Sequence, residues 1–318
     1  MFKRKNLRLS ARNFLMGLLV YSLVMVLYTQ NGYYIGFIQQ KTLMLLKTIY
    51  YSYLVIGLPL NIIANKKIGY KPELILTAIV SFFNKKKINK QQGVAILFGL
   101  VKIFYTPLML NFFFSNFYAV TGISWLSFDF RADYTKLLSV IFMIDTLYFA
   151  FGYLFEHKLL KNMVRSVEPT LLGWGVALMS YPPFNSTSGR FLGWYSNDYF
   201  FVPVIWIDYL FKILIVILLL LYLWATLSLG TKCSNLTNRG IVSKGAYKYI
   251  RHPAYTGKIL AWWIMALPAF SWGALFSLSA WTLVYFMRAV TEERHLIKDK
   301  DYKKYVKQTP YRFIPGWV

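Results

Sequence analysis

Long apolar stretches alternate with short polar, mostly basic stretches along the chain. Several apolar stretches approach the ~20 residues that a helix needs to cross the hydrocarbon core of a bilayer. The segment over 73–83 is too short to cross, and it predicts a re-entrant or interfacial helix or a continuation of its neighbour. The pattern therefore predicts an all-α, polytopic helical membrane protein with about seven to eight transmembrane helices. The apolar stretches lie at roughly 13–30, 43–63, 93–115, 137–156, 169–181, 209–229, 259–270 and 274–291.

The two ends of this pattern carry further information. The first apolar stretch follows several basic residues, and no small-residue cleavage site comes after it, so we expect an uncleaved transmembrane helix. Near the other end, the stretch over 259–270 stops around Pro268 and the next begins at 274. Because proline and glycine interrupt helices, residues 259–291 are expected to form a helical hairpin.

Composition supports a membrane protein and excludes a nucleic-acid-binding one. Of 318 residues, 57% are apolar and 15% are charged, whereas soluble domains carry about a quarter charged residues. The net charge of +24 would suit nucleic acid, but the basic residues cluster between apolar stretches, as at 85–87. The expected partner is therefore the lipid bilayer, and we expect no nucleic acid. The single cysteine, Cys233, precludes an intrachain disulfide.

The placement of the basic residues predicts the orientation. Loops on the cytoplasmic side carry an excess of Lys and Arg. The predicted orientation puts both termini of this integral, multi-pass protein in the cytoplasm. The basic segments are 1–12, 64–92, 157–168, 230–258 and the tail after 288, whereas the alternate loops 31–42, 116–136 and 182–208 hold few basic residues.

A few charged residues lie within the apolar stretches, where charge is costly. Lys47 and Lys212 are near the ends, so we expect their ammonium groups to reach the interface. Lys102 and Asp145 lie deeper, and a pair between them is possible. His157 ends a predicted helix on the cytoplasmic side, where its charge suits the helix dipole, and we interpret it as structural.

The loop before the predicted hairpin concentrates polar and aromatic chemistry. Arg251 offers a planar cation that suits a carboxylate or phosphate, and His252 adds a titratable ring. Pro253 fixes the turn, while Tyr247 and Tyr255 supply aromatic faces and hydroxyl groups. Any one of these is an ordinary residue at a membrane interface. The whole set predicts a binding site.

Two adjacent glutamates follow the last apolar stretch. Neighbouring helical residues point about 100° apart, so Glu292 and Glu293 are expected to have different roles. The mostly apolar face of Glu293 predicts that it faces the site, with Arg251 or a bound cofactor as its cationic partner. Glu292 is expected to pair with Arg288, four residues earlier. His295 lies just beyond.

These motifs resemble the isoprenylcysteine carboxyl methyltransferase family, which groups with phospholipid N-methyltransferases as membrane enzymes that use S-adenosylmethionine. The resemblance covers roughly residues 209–318, and residues 1–165 are predicted to be N-terminal transmembrane helices of unknown role. It implies a methyltransferase-like membrane domain over 166–318, with a cofactor pocket on the cytoplasmic side. The motifs are Ser228-Leu229-Gly230, residues 235–242, Gly245-Ala246-Tyr247, Arg251-His252-Pro253-Ala254-Tyr255, Glu292-Glu293, Tyr302, Tyr305 and Pro315.

The resemblance also implies roles for individual residues. As catalytic residues it implies Arg251, His252 and Glu293. As cofactor-binding residues it implies Tyr247, Arg251, His252, Pro253, Tyr255, Glu292 and Glu293.

The expected function is S-adenosylmethionine-dependent methyl transfer to an amphiphilic or lipid-like acceptor at the cytoplasmic face. Such an in-line displacement needs no metal, and its main demand is alignment of donor and acceptor. A carboxylate acceptor needs no base, whereas an amine or thiol would use His252 or His295.

Two alternatives remain. One is an NADPH-dependent membrane reductase of the sterol-reductase type, although 292–295 reads Glu-Glu-Arg-His where those tails show an Asp-x-x-Arg-Cys pattern. The other is a non-catalytic transporter or scaffold, for which paired similar halves would be expected.

Overall fold

The fold is helical, as the apolar pattern predicts. A computed structural model describes residues 2–64, 70–121, 129–198 and 200–317. Twelve α-helices and one two-stranded antiparallel sheet are found in these residues. The helices are α1 Phe2–Gln30, α2 Gly32–Phe37, α3 Gln40–Ala64, α4 Lys71–Phe83, α5 Lys90–Thr121, α6 Phe130–Leu154, α7 Leu171–Leu178, α8 Phe184–Ser188, α9 Ile205–Leu229, α10 Pro253–Ala266, α11 Trp272–Leu296 and α12 Lys300–Gln308; the strands are β1 Ser166–Val167 and β2 Thr237–Asn238.

Six segments in the described part of the chain are long and apolar enough to cross a bilayer. Their lengths of 24 to 32 residues exceed the ~20 that a crossing requires. They confirm the all-α, polytopic membrane protein. The segments are Leu7–Gln30, Gln40–Ile63, Lys90–Thr121, Phe130–Leu154, Ile205–Lys232 and Trp272–Leu296.

The chain divides into two compact units, Met1–Phe114 and Ser115–Val318. The boundary predicted at 165/166 separates a methyltransferase-like part from the rest, and it stays a prediction because compactness and function need not divide a chain at the same residue. The predicted loops 64–92 and 116–136 lie partly outside the described residues.

In the first unit, α1 packs against α3 and α4. The Arg12 guanidinium pairs with the Glu73 carboxylate, and the Ser10 hydroxyl donates to the Asn61 carbonyl over 3.2 Å. The short apolar segment after residue 72 is the separate helix α4, with Pro72 in its first turn, where a missing N–H costs nothing.

The second unit has its apolar core between α6, α9 and α10. Ile141, Ile215 and Ala261 belong to this core and are almost fully buried. Helices α9 and α10 approach closely at Gly257, because a Cβ there would lie 2.5 Å from the Leu218 carbonyl oxygen. Glycine at this position therefore permits the backbones to meet.

The predicted C-terminal hairpin is present. Helix α10 ends in a 3-10 turn, Leu267–Ala269, and the Ser271 hydroxyl then caps α11 by accepting from the Ala274 N–H over 3.1 Å. The Trp263 indole N–H donates to the Thr282 hydroxyl across the hairpin over 3.1 Å. With 14 residues in α10, this leg is roughly 21 Å long before the turn.

The chain around the predicted stretch at 169–181 runs alongside α11, and within that stretch only α7 is helical. At one end, the Ser166 hydroxyl lies 2.8 Å from His295 Nε2. At the other end, the Gly193 carbonyl accepts from the Ser277 hydroxyl. Because Ser277 and His295 are roughly 27 Å apart along α11, the chain between 166 and 193 covers about the thickness of a bilayer core. Neither this leg nor α10 is among the six long apolar segments of the described residues, so the expected count of seven to eight transmembrane helices stays a prediction.

Two charged residues within the apolar stretches have partners other than those expected. Lys212 does not reach out to an interface: its side chain is 8% exposed, and its ammonium lies 2.8 Å from the Asp208 carboxylate, which also pairs with Arg131. The Asp145 carboxylate accepts hydrogen bonds of 2.5 Å from the hydroxyl groups of Tyr222 and Thr226. A buried carboxylate needs such donors, and α9 supplies both.

Candidate functional site

The Arg-His-Pro loop is shaped by its own sequence. Gly245 adopts φ +61°, which favours glycine, and a Cβ there would also collide with the Ser228 side chain. The Ser228 hydroxyl accepts from the Ala246 N–H over 3.2 Å. Pro253 is the first residue of α10, where its fixed φ suits a helix start.

The C-terminal tail holds this loop in place. The backbone N–H groups of Arg251 and His252 donate to the carbonyls of Tyr311 and Arg312, each over 2.9 Å. From α12, the Tyr305 hydroxyl donates to the carbonyl of Tyr247 over 2.8 Å. The loop and the tail therefore form one hydrogen-bonded assembly, although about 60 residues separate the bonded pairs.

The Arg251 guanidinium is committed largely to this assembly. Its Nε donates to Glu293 Oε1 over 2.8 Å, and Nη1 donates to the carbonyls of Thr309 and Pro310 over 3.0 and 2.6 Å. Arg251 is buried. These contacts satisfy the charge and most of the donors that such a buried group carries.

Glu293 lies at the centre of a cationic cluster. Besides Arg251, its carboxylate contacts His252 Nε2 at 3.1 Å and Arg312 Nε at 3.0 Å. The predicted proximity of Glu293 to Arg251 is therefore present, but the carboxylate points at the loop and the tail and lines neither cavity described below.

Glu292 is the glutamate that opens into the site. Its side chain is exposed, lines both cavities and accepts from the Tyr255 hydroxyl over 3.0 Å. Arg288 instead donates to Ser180 and Asn235 over 3.1 and 3.3 Å. The predicted facing of the two glutamates is therefore wrong. The face of α11 that carries Glu293 is apolar because it packs against the C-terminal tail. The residue pattern of the helix does not show which part of the chain covers that face.

A cavity lies between α7, α9, α10 and α11, and we call it the helix-side cavity. Its volume is about 1030 Å³, including its open mouth. Both aromatic and charged side chains line it, as in sites for ligands that carry apolar and polar parts. Its lining includes Glu168, Tyr181, Tyr222, Tyr247, Arg251, His252, Tyr255, Lys258, Tyr285, Arg288, Glu292 and His295.

A second cavity, the tail-side cavity, lies between the loop after β2, the Arg-His-Pro loop and α12. Its volume is about 610 Å³, again including open space. Eight residues line both cavities, so the two cavities adjoin, and we call this shared wall the junction. The shared residues are Leu229, Ser234, Thr237, Tyr247, Arg251, His252, Glu292 and Leu296, and the tail-side cavity adds Lys232, Arg239, Tyr302 and Tyr305 among others.

Comparison with known families bears on this region directly. Residues 206–313 match the model of the phospholipid methyltransferase family. The match covers α9 to α12 and part of the tail, which we call the methyltransferase region, and it confirms the family resemblance for this third of the chain. No curated protein matches the chain. Pro253 and every other predicted site residue lie within the methyltransferase region.

Glu168, which lies outside that region and well before it in the sequence, is a site residue that sequence reasoning missed. Its Oε1 accepts from the Thr170 hydroxyl over 2.5 Å and lies 3.4 Å from Arg294. Its Oε2 is buried, has no hydrogen-bond partner within the described residues and lies 3.9 Å from His295 Nδ1. A lone carboxylate beside Pro169 in an otherwise basic segment was the available signal.

Lys258 was also missed, since the predicted apolar stretch began one residue after it. It lines the helix-side cavity, and its ammonium lies over the rings of Tyr222, Trp262 and Tyr285. The signal was a single basic residue where the apolar leg of a hairpin begins.

The surroundings of Tyr247 in the loop and of Asp299 before α12 determine whether each side chain is charged. Burial raises the pKa of Tyr247 well above its usual value, and the nearby Glu292 charge raises it further, so the phenol stays neutral and can donate. Burial also raises the pKa of Asp299, but hydrogen bonds from Asn238, the Asp301 N–H and Arg165 outweigh it and lower that pKa below its usual value. The Asp299 carboxylate thereby ties β2 to the tail over 2.9 Å.

Proposed function

We propose that the protein transfers a methyl group from S-adenosylmethionine to an amphiphilic, lipid-like acceptor at the cytoplasmic face of a membrane. The family match over the methyltransferase region supports methyl transfer to a lipid-like molecule. Two cavities that adjoin along a shared wall support a reaction between two ligands. The arrangement in which these cavities meet at His252 and Glu292 is the observation that carries the proposal.

The tail-side cavity suits the cofactor by the chemistry of its lining. S-adenosylmethionine carries a carboxylate, an amine, a ribose, an aromatic base and a sulfonium. Lys232 and Arg239 offer positive charge for the carboxylate, whereas Glu292 offers an acceptor for the amine or the ribose. Tyr302 and Tyr305 offer aromatic faces for the base. When bound, the cofactor supplies an electrophilic methyl group.

The residues at the junction divide into two groups. His252 and Tyr255 stack with ring centroids 5.3 Å apart, and the Tyr255 hydroxyl orients Glu292. These side chains would touch the ligands. Arg251 and Glu293 hold the loop on the tail, so we assign them as positioning residues. Holding donor and acceptor in line and close together can supply much of the barrier reduction in such a reaction.

The helix-side cavity would take the acceptor. An acceptor that loses a proton on methylation needs a base, and His295 is available on the cavity wall, oriented by the Ser166 hydroxyl. A carboxylate acceptor would use His295 only as a polar contact.

A methyl-transfer assay tests the proposal. Purified protein in detergent is incubated with S-adenosylmethionine labelled in its methyl group and an extract of membrane lipids, and label in the organic phase is counted. We expect labelled lipid from the wild-type protein. Glu292→Gln should reduce the rate about tenfold or more, as expected for the loss of a charge-assisted hydrogen bond.

Asp301→Asn is the matched control, because Asp301 is an exposed acid that pairs with Arg165 outside both cavities. It should retain the wild-type rate. Labelled lipid that forms equally well with Glu292→Gln would contradict the assigned site, and no labelled lipid from any acceptor class would contradict the proposed function.

A further inference from the structure

Lys258 is a cation that the reaction described above does not use. It lies on α10 in the wall of the helix-side cavity, and no ion pair found among the described residues involves it. Its ammonium lies 5.3 Å from the ring centre of Trp262, 5.7 Å from that of Tyr222 and 5.8 Å from that of Tyr285. A charge inside a membrane-crossing leg is costly and calls for a functional explanation.

The Lys258 side chain does not extend its ammonium toward the membrane surface, as a lysine in an apolar helix often does. Trp262 is one helical turn further along α10, away from the Arg-His-Pro loop. Tyr285 precedes Glu292 by seven residues on α11, which places it roughly 10 Å deeper. An ammonium that lies over both rings points into the cavity and away from the rim, whereas a snorkelling lysine would do the opposite.

Four of the aromatic rings that line this cavity, those of Tyr181, Tyr222, Tyr255 and Tyr285, lie beside the protein's own cations. The Lys258 ammonium lies over the rings of Tyr222, Trp262 and Tyr285. The Arg288 guanidinium lies 4.9 Å from the ring centre of Tyr285, 5.3 Å from that of Tyr255 and 5.8 Å from that of Tyr181. An aromatic cage for a quaternary ammonium needs open ring faces. A cationic headgroup would meet two like charges here instead.

The acids near the cavity do not cancel this positive charge. Asp145 and Asp198 attract the Lys258 ammonium, but neither of them lines the cavity. Glu168 does line it, and its carboxylate is shared with the Thr170 hydroxyl and the Arg294 guanidinium. Glu292 faces the cavity, but it lies at the rim. The deep part of the cavity is therefore a cationic, aromatic-lined space, which favours an anion.

We propose that Lys258 binds the oxyanion of the methyl acceptor, a carboxylate or a phosphate on an amphiphile, and that it thereby selects anionic over cationic acceptors. The inference rests on the proposed function for the identity of the ligand as an acceptor. Arg288 lies beside the same space, so the oxyanion is held between two cations while the apolar part of the molecule extends along the helices.

The test measures binding of defined amphiphiles to the full-length protein in a non-ionic detergent, without cofactor. The probes are dodecyl phosphate, dodecanoate, dodecyltrimethylammonium and inorganic phosphate, each titrated by calorimetry. The variants are Lys258→Met, Lys258→Arg and, as a surface control, Lys248→Met, whose side chain is exposed and lines neither cavity. Thermal unfolding and S-adenosylmethionine binding of each variant are measured in parallel.

We expect the wild type and Lys248→Met to bind both anionic amphiphiles and not the cationic one. Lys258→Met should weaken anionic binding at least tenfold while S-adenosylmethionine still binds, and Lys258→Arg should restore most of it. Unchanged anionic binding by a folded Lys258→Met would overturn the inference, as would tighter binding of the cationic amphiphile.

Two further titrations distinguish an amphiphile from free phosphate as the ligand, and distinguish this inference from the proposed function. Inorganic phosphate that binds as tightly as dodecyl phosphate would overturn the claim that the ligand is an amphiphile. Absence of S-adenosylmethionine binding in the wild type would defeat the proposed function, whereas the dependence of anionic binding on Lys258 would be read independently of it.

Discussion

Replacing Glu293 by Gln should destabilise the second unit, whereas the same change at Glu292 should not. Glutamine keeps the size of the side chain and removes the charge. At Glu293 that charge is met by Arg251, His252 and Arg312 within 3.1 Å, and the side chain is 12% exposed. The change would leave the buried Arg251 without its carboxylate, while the carbonyls of the tail still accept from it.

The magnitude follows from these contacts. Breaking a buried ion pair from one side typically costs about 3–5 kcal/mol. Glutamine still accepts one hydrogen bond, and Arg312, whose side chain is 37% exposed, can regain water, so we expect about 2–3 kcal/mol. In a unit of this size that lowers the midpoint of thermal unfolding by about 5–10 °C. At the exposed Glu292, loss of the hydrogen bond from Tyr255 should cost about 1 kcal/mol or less.

The assay is thermal unfolding of both variants in the same detergent, with S-adenosylmethionine titrated into each below its unfolding temperature. Glu292→Gln should keep the wild-type midpoint and bind the cofactor at least about tenfold more weakly. If Glu293→Gln unfolds at the wild-type temperature while Glu292→Gln is destabilised, the assignment of the two glutamates is refuted.

Three further outcomes follow from the structure. Gly257→Leu should lower the unfolding midpoint sharply, because even a Cβ at that position would collide with the backbone of α9, and Gly36→Leu, where a Cβ meets nothing within 4 Å, should not. The folded pKa of Asp299 lies below its ordinary value, so the ionised carboxylate stabilises the protein above about pH 4 and this effect is lost as the pH falls further. Thermal midpoints measured from pH 6 to pH 3 should therefore drop more for the wild type than for Asp299→Asn. A cysteine at the exposed Lys248 should react with a membrane-impermeant thiol reagent only from the cytoplasmic side, and one at the exposed Asn197 only from the other side; the reverse pattern would overturn the orientation.

Much of the fold could be predicted because bilayer crossing leaves a strong signal in sequence. Long apolar runs become helices, since a bilayer leaves backbone groups no other partners. The turn around Pro268 likewise predicts the hairpin that the structure contains. The leg around 169–181 is mostly irregular, so contacts at Ser166 and Gly193, and no apolar helix, define how far the chain runs there.

The facing of the glutamates could not be predicted, because it depends on the tail. A helix pattern assigns an apolar face to the interior without saying what packs there. Here Arg312 and the backbone beyond residue 308 occupy that face, and the polar face lines the cavities. Cys233 shows the same limit: it lies in the basic segment 230–258, yet its side chain is fully buried.

Residues outside the recognised motifs were missed for a related reason. Glu168 and Lys258 reach the helix-side cavity from elements whose place in space the local pattern does not fix. Glu168 arrives through the pairing of β1 with β2, which joins segments about 70 residues apart. Long-range pairing of this kind has no periodic signal in the sequence.

Titration of the purified, full-length protein with S-adenosylmethionine and separately with NADPH tests the central claim most directly. We predict saturable, roughly micromolar binding of S-adenosylmethionine, equivalent to about −8 kcal/mol, that Glu292→Gln weakens, and no saturable binding of NADPH. Tight binding of NADPH together with no binding of S-adenosylmethionine would contradict the account and favour a membrane reductase.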